Sequence, residues 1–65
     1  MTEAQRLREL ILDQVCEQYA EDPDYGRSFV VGVELTVDEW GSILIALGMD
    51  PNHVGQCFLE VEQER

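Results

Sequence analysis

The chain has 65 residues, with fourteen aspartates and glutamates, four arginines and no lysine, so its formal net charge is −10 at pH 7. A charge of this sign opposes binding to nucleic acid and to anionic membranes, and it favours a partner with a basic surface. The hydrophobic fraction of 45% is too high for a chain kept disordered by its charge. We expect a single small domain over residues 1–65, with little stability to spare.

Residues 3–21 have the periodicity of an amphipathic helix. No glycine or proline interrupts them, and the segment 22–26 that follows favours a turn because Pro23 disfavours helical geometry in the residue before it. The expected buried stripe consists of Ala4, Leu7, Leu10, Ile11, Val15 and Tyr19, widened by Leu12 and Cys16.

Residues 28–35 are rich in β-branched and aromatic types, which predicts a strand. No second strand is evident, so the backbone groups of this strand need a partner. We expect it to pair with its counterpart in a second copy, which would give a homodimer. Other outcomes stay open: the strand adds to the sheet edge of another protein, or the segment is not a strand, or it makes a tight hairpin near Gly32.

Two further helices are predicted. The segment 36–39 (Thr-Val-Asp-Glu) is a capping box that begins the second helix, which should end near Leu47 with Gly48 as its stop. Asp50 is the expected cap of the third helix and Pro51 its first residue. The expected buried positions are Trp40, Ile43, Leu44 and Leu47, then Val54, Cys57, Phe58 and Val61. The predicted fold class is α+β, mostly helical, in the order helix, strand, helix, helix.

A second face of the middle helix carries small and β-branched residues, including Gly41 and Ile45. Such a face would let another backbone approach closely, although two glycines tolerated near helix crossings explain it equally well. Together with the strand it gives an expected dimer interface. The residues of that interface are Phe29, Val30, Val31, Val33, Gly41 and Ile45.

The negative charge is concentrated on the first helix, where carboxylates recur every four residues. Each step rises about 6 Å along a helix, which is close to the separation of successive phosphates in a nucleic-acid strand. This pattern suggests a nucleic-acid mimic that occupies a basic groove, and a solvated polar face is the alternative. The expected partner-binding residues are Glu9, Asp13, Glu17, Glu21, Asp22 and Asp24.

Metal binding has weak support in the sequence. His53 and Cys57 have the i, i+4 spacing of a ligand pair and Cys16 could complete a site, but both cysteines lie on apolar stripes. The segment from Asp22 looks like the start of a calcium loop, yet Val33 stands where the closing glutamate is needed. We expect no metal and no cofactor.

Catalytic motifs are not evident either. The chain has one histidine, no glycine-rich phosphate loop and no nucleophile elbow, so we expect no enzyme and assign no catalytic residue. The first residues are charged and not an apolar leader, and no apolar run approaches the length of a membrane span. Two cysteines do not form a disulfide framework, so a cytoplasmic location with reduced thiols is expected.

Residues 33–47 resemble a segment of small uncharacterised phage and prophage proteins. In those proteins a strand ending in Glu-Leu-Thr leads through an acidic residue and a tryptophan into a helix ending in Ala-Leu, followed by a turn with proline and a second amphipathic helix. The corresponding residues are Glu34-Leu35-Thr36, Glu39-Trp40, Ala46-Leu47 and Pro51. The resemblance covers about half the chain and implies a strand–helix–helix core and a phage or bacterial origin. It carries over no functional residue.

The function expected from these patterns is a non-enzymatic acidic module that binds a basic surface of a nucleic-acid-binding host protein. The specific class would be a phage-type inhibitor of the anti-CRISPR or anti-restriction kind. One alternative is a structural or assembly homodimer that binds through apolar residues such as Val30, Ile45 and Leu59. Another is a degenerate EF-hand-like or metal-sensing domain. Salt separates the first two, because binding through charge weakens steeply with ionic strength.

Overall fold

The computed structural model describes residues 2–64 of the chain. The elements are α1 (Glu3–Glu21), β1 (Arg27–Val30), β2 (Val33–Thr36), α2 (Val37–Ala46) and α3 (Pro51–Gln63). The predicted α+β, mostly helical fold class is confirmed. The two strands form an antiparallel hairpin beside α1, and each helix contacts the other two. Within residues 2–64, no helix combines the length and apolar character that a membrane crossing requires.

Local signals fix the helix ends where the sequence predicts them. The Thr36 hydroxyl accepts a hydrogen bond from the Glu39 amide at 3.1 Å, and the Thr36 amide donates to the Glu39 carboxylate at 3.0 Å. This backbone hydrogen bond lowers the pKa of Glu39. Gly48 ends α2 with a φ of 104°, and the next amide reaches back to the carbonyl of Leu44 in a Schellman motif.

The prediction of one continuous strand over residues 28–35 is wrong. The chain reverses at Val31 and Gly32, so that Val30 pairs with Val33, and the hairpin left open as an alternative is confirmed. Both turn residues have positive φ, 54° and 75°, as a type I′ turn requires. Because each strand finds a partner strand within the chain, a second copy is not needed to supply one.

Val31 is an unfavourable residue for this turn. A β-branched side chain strongly disfavours positive φ, and asparagine is the usual residue at this position of a type I′ turn. Val31→Asn should therefore raise the free energy of unfolding by about 1 kcal/mol, since the left-handed region costs an ordinary residue roughly 1–2 kcal/mol. Urea denaturation followed by circular dichroism measures this, and an unchanged midpoint would show that the turn carries no strain.

A side chain closes the outer edge of β1. Gln18 on α1 accepts a hydrogen bond from the Phe29 amide at 2.7 Å and donates one to the Phe29 carbonyl at 2.8 Å. Its amide group thus does for β1 what a neighbouring strand would do. The sequence gives no sign of this role, because helix periodicity identifies faces and not individual long-range hydrogen bonds.

Gln18→Met keeps the length of the side chain but removes both hydrogen bonds. We expect a loss of about 1–3 kcal/mol of unfolding free energy, since each hydrogen bond contributes about 0.5–1.5 kcal/mol. Gln56→Met on the exposed surface of α3 is the control, and it should change stability by less than about 0.5 kcal/mol. Equal effects of the two variants in chemical denaturation would contradict the role assigned to Gln18.

The core consists of two adjoining clusters of buried residues. One contains Leu12, Leu44, Met49 and Val54, and the other contains Val15, Val30, Val37 and Trp40. Ile11 and Phe58 contact both clusters and join them. The Trp40 indole Nε1 donates to the carbonyl of buried Ser28 at 2.9 Å, which attaches the hairpin to α2.

The predicted inner faces of α1 and α2 are partly wrong. On α2, Trp40 and Leu44 are buried as predicted, but Ile43 is 39% exposed and Leu47 is 54% exposed. Gly41 faces inward instead, because the ring of Phe58 comes within 3.0 Å of where a Cβ at this position would lie. On α1, the predicted stripe fails at its N-terminal end, where Ala4, Leu7 and Leu10 are exposed, because the four-residue strands are too short to cover the whole helix.

The two helical glycines should respond oppositely to a side chain. Gly41→Val places methyl groups against Phe58 and Val54, and overpacking of this kind typically costs about 1–3 kcal/mol. Gly55→Ala meets nothing within 4 Å and should gain about 0.5–1 kcal/mol from helix propensity. Paired urea denaturation curves test this, and a shift of both variants in one direction would refute the assigned α2–α3 contact.

Candidate protein-binding surface

The exposed side of α1 carries the predicted row of carboxylates, here called the acidic ridge: Glu9, Asp13, Glu17 and Glu21. Asp13, Glu17 and Glu21 are exposed, and within residues 2–64 no cation lies within 4.0 Å of their carboxylates. Glu9 differs, because it is half-buried and pairs with His53 of α3 at 3.1 Å. Three of the four carboxylates therefore face solvent without a charge partner.

Helix α3 runs parallel to α1 and widens this negative surface. Glu9 meets His53 near the start of both helices, and the Tyr19 hydroxyl donates to Glu62 at 2.9 Å near their ends. Between these contacts, Glu60 lies close enough to the thiols of α1 and α3 to influence both. The negative surface therefore extends from α1 onto α3.

Two of the described arginines, Arg8 and Arg27, are engaged away from the exposed part of the ridge. Arg8 donates to the carbonyl of Leu47 at 2.9 Å and so stabilises the end of α2. Arg27 binds Glu34 across the hairpin at 2.8 Å, and Tyr25 donates to the same carboxylate oxygen. The Arg27 hydrogen bond, with that of Tyr25, lowers the pKa of Glu34.

Asp22 and Asp24 do not extend the acidic ridge. Asp22 is the C-terminal cap residue of α1, and its carboxylate accepts a hydrogen bond from the Tyr25 amide at 3.3 Å. Asp24 is exposed in the turn that follows. Because the chain has left the helix by this point, the one-turn spacing of the ridge ends at Glu21.

The predicted dimer interface does not form one exposed surface. Val30 and Gly41 are buried within the chain, Val30 under α1 and α2 and Gly41 against α3. Ile45 is exposed on α2. The exposed hairpin members are Phe29, Val31 and Val33. A second copy could reach these three and Ile45, but it could not reach Gly41 without opening the core.

A groove that the sequence analysis did not predict lies between α1 and the hairpin. Its walls, here called the apolar groove, are formed by Leu7, Leu10, Gln14, Phe29 and Val31. Ile11 and Val30 line it as well, and its volume is about 530 Å³. The sequence signal was present, because Leu7 and Leu10 are apolar, but periodicity assigned these residues to the core.

Metal ligands do not converge in the described part of the chain, where no three histidine, cysteine, aspartate or glutamate side chains are grouped to hold an ion. Burial raises the pKa of Cys16 to about 11, with additions from Cys57, Asp13 and Glu60. Burial likewise raises the pKa of Cys57. Since the thiolate is the form that binds metal, these environments disfavour coordination.

No protein-family model, curated protein or solved structure compared with the chain matches it. No residue role is therefore carried over from another protein. The features that bear on function are the acidic ridge and the apolar groove, both on or beside α1.

Proposed function

We propose that this chain is a non-enzymatic protein-binding module that engages a basic surface of its partner through the acidic ridge. The observation that carries the proposal is the row of unpaired, exposed carboxylates at Asp13, Glu17 and Glu21. Like charges one turn apart destabilise a helix by about 0.2–0.5 kcal/mol per pair. A surface needed for solubility alone would intersperse both signs, so a basic partner is the better explanation of this arrangement.

The length and spacing of the ridge favour a partner that normally binds nucleic acid. From Glu9 to Glu21 the helix rises about 18 Å, with a carboxylate about every 6 Å. A basic groove on the partner that holds the phosphates of a nucleic acid at similar intervals would accept this row of carboxylates. We therefore propose a phage-type inhibitor of the anti-CRISPR or anti-restriction class, acting in the bacterial cytoplasm on a nuclease or a related host protein.

The proposal is tested with DNA cleavage by purified RNA-guided nucleases and restriction endonucleases, with and without this protein. We expect inhibition of at least one enzyme, relieved by competing DNA and weakened steeply between 50 and 300 mM salt, because the Debye length falls from about 14 Å to about 6 Å over this range. Asp13→Asn/Glu17→Gln should relieve it. Asp24→Asn/Asp38→Asn removes the same two charges elsewhere and should inhibit like the wild type. Equal behaviour of the two double variants would overturn the role of the ridge.

An assembly homodimer that uses apolar contacts is the second candidate function. It is favoured by the number of apolar side chains that remain exposed on the hairpin and on α2 and α3, among them Phe29, Ile45 and Leu59. Sedimentation equilibrium distinguishes the two functions. An apolar dimer would form at micromolar concentration and would persist or strengthen in high salt, whereas a monomer across this range favours the acidic module.

A further inference from the structure

We propose that the apolar groove binds a basic amphipathic segment of the partner. The apolar side chains of this segment enter the groove, and its lysines or arginines reach Asp13 and Glu17 beside the groove, here called the acidic rim. This inference rests on the proposed function and adds to it the chemistry of the segment that is recognised. It also makes the groove, and not the acidic ridge alone, the source of specificity.

The groove has the dimensions of a peptide-docking site. Leu7 and Leu10 are each nearly half exposed, and Phe29 on the opposite wall is 59% exposed. From Leu7 to Gln14 the helix rises about 10 Å, which is the distance that anchors at i, i+3 or i+4, and i+7 of a bound helix cover. The volume of about 530 Å³ can hold several aliphatic side chains.

The conformation of Val31 is a second and independent indication that the apolar groove is a binding site. This valine is 80% exposed at the tip of the hairpin and is held at a φ of 54°. Neither folding nor solubility favours a β-branched apolar residue there, since asparagine or glycine would suit the turn and the solvent better. Strain retained at an exposed position is typical of functional sites, and here it keeps an apolar side chain on the wall of the groove.

Charge around the groove selects the occupant. Asp13 is three residues from Leu10, and Glu17 is three residues from Gln14, so acidic side chains border the α1 wall. Arg6 also lies on this border, but it is 4.0 Å from Glu3. A segment that is apolar on one side and basic on the other complements both features. A second copy, which also carries a net charge of −10, would be repelled from this rim.

The test uses a fluorescent 18-residue peptide of leucine and arginine arranged with helical amphipathic spacing, and a scrambled peptide of the same composition without that spacing. Binding is followed by fluorescence anisotropy and mapped by amide chemical-shift changes in the ¹⁵N-labelled full-length protein. We expect the amphipathic peptide to bind at least about tenfold more tightly than the scrambled one, with shifts at Leu7, Leu10, Phe29 and Val31.

Val31→Asn supplies the decisive variant, because it should stabilise the fold while weakening the complex. We expect its melting temperature to rise by about 4–8 °C and its affinity for the amphipathic peptide to fall at least threefold. Leu10→Ser/Phe29→Ser changes exposed side chains on both walls and should weaken binding at least about tenfold. Leu59→Ser, an exposed apolar position on α3, is the control and should bind like the wild type.

The outcomes separate this inference from the proposed function. If both peptides bind equally and only Asp13→Asn/Glu17→Gln weakens them, the acidic ridge acts alone and the groove proposal is overturned. If the groove variants weaken binding and the ridge variant does not, the groove binds through apolar contacts alone, and both the basic character of its occupant and the charge-based function fail. Concentration-dependent dimerisation that Leu10→Ser/Phe29→Ser abolishes would identify a second copy as the occupant and would also overturn the proposal.

Discussion

Trp40→Ala is expected to remove at least about a third of the protein's unfolding free energy. Trp40 is buried at the centre of the cluster that joins α1, the hairpin and α2, and a buried tryptophan replaced by alanine typically costs about 3–5 kcal/mol. A chain of this length has a total unfolding free energy of about 3–10 kcal/mol. The variant therefore loses a large part of its stability, which far-UV circular dichroism during urea denaturation measures directly.

Trp40→Phe separates the contribution of packing from that of the hydrogen bond. Phenylalanine keeps most of the apolar surface but removes the donor to the Ser28 carbonyl, and Ser28 is only 1% exposed, so water cannot easily replace it. We expect this variant to cost about 1–3 kcal/mol. Leu59→Ala on the exposed surface of α3 is the control. A loss with Trp40→Phe no greater than that with Leu59→Ala would show that the hydrogen bond does not attach the hairpin to α2.

The thiol of Cys16 is expected to react about 100-fold more slowly in the folded protein than in the unfolded chain at pH 8. Burial, with the nearby Cys57 and carboxylates, raises its pKa from 9.0 to about 11, and only the thiolate is nucleophilic. Two pH units correspond to about a hundredfold smaller thiolate population. Reaction of Cys57→Ala with an aromatic disulfide reagent, with and without guanidinium chloride, isolates Cys16. Because this variant lacks the contribution of Cys57 to the Cys16 pKa, its slowing should be smaller than the hundredfold expected for the native protein. Equal rates would show that this thiol is not shielded.

The same shift predicts how stability depends on pH. Below pH 9 Cys16 is protonated in both states, and its contribution to stability is fully present. Between pH 9 and about pH 11 the unfolded chain releases this proton while the folded chain keeps it, so the free energy of unfolding falls as pH rises. The Cys57→Ala variant should lose more stability between pH 8 and pH 10.5 than Cys16→Ala/Cys57→Ala does. Identical losses in urea denaturation would contradict the shift.

In the proposed interaction, the acidic ridge and the apolar groove beside it are expected to affect different rate constants. Exposed carboxylates accelerate encounter with a basic partner and make binding sensitive to salt, whereas a desolvated apolar contact slows dissociation. Mutations of the acidic ridge and of the apolar groove should therefore differ in the rate that they change. Changes at Asp13 and Glu17 should act mainly on the association rate, and changes at Leu10 and Phe29 on the dissociation rate.

The sequence by itself determined the elements whose signals lie within a few residues of one another. The capping box at Thr36 and Glu39, the Asp50-Pro51 start of α3 and the Gly48 stop each depend on contacts inside one helical turn, and the structure has them where they were predicted. The one-turn spacing of the acidic ridge is likewise a local property. For this reason the sequence was sufficient to place Asp13, Glu17 and Glu21 along one exposed side of α1.

Only the tertiary structure decided which way the faces turn and how the strands pair. The hairpin lacks the Asn-Gly or Asp-Gly signal of its turn type, since Val31 occupies a strained position, so eight extended residues looked like one strand. Gly41 lies on the inner face of α2 because it packs against Phe58, seventeen residues away. The outer edge of β1 is closed by hydrogen bonds with Gln18 on α1. Periodicity cannot distinguish a buried leucine from one that lines an uncovered groove, because that difference depends on how far the neighbouring hairpin reaches along α1.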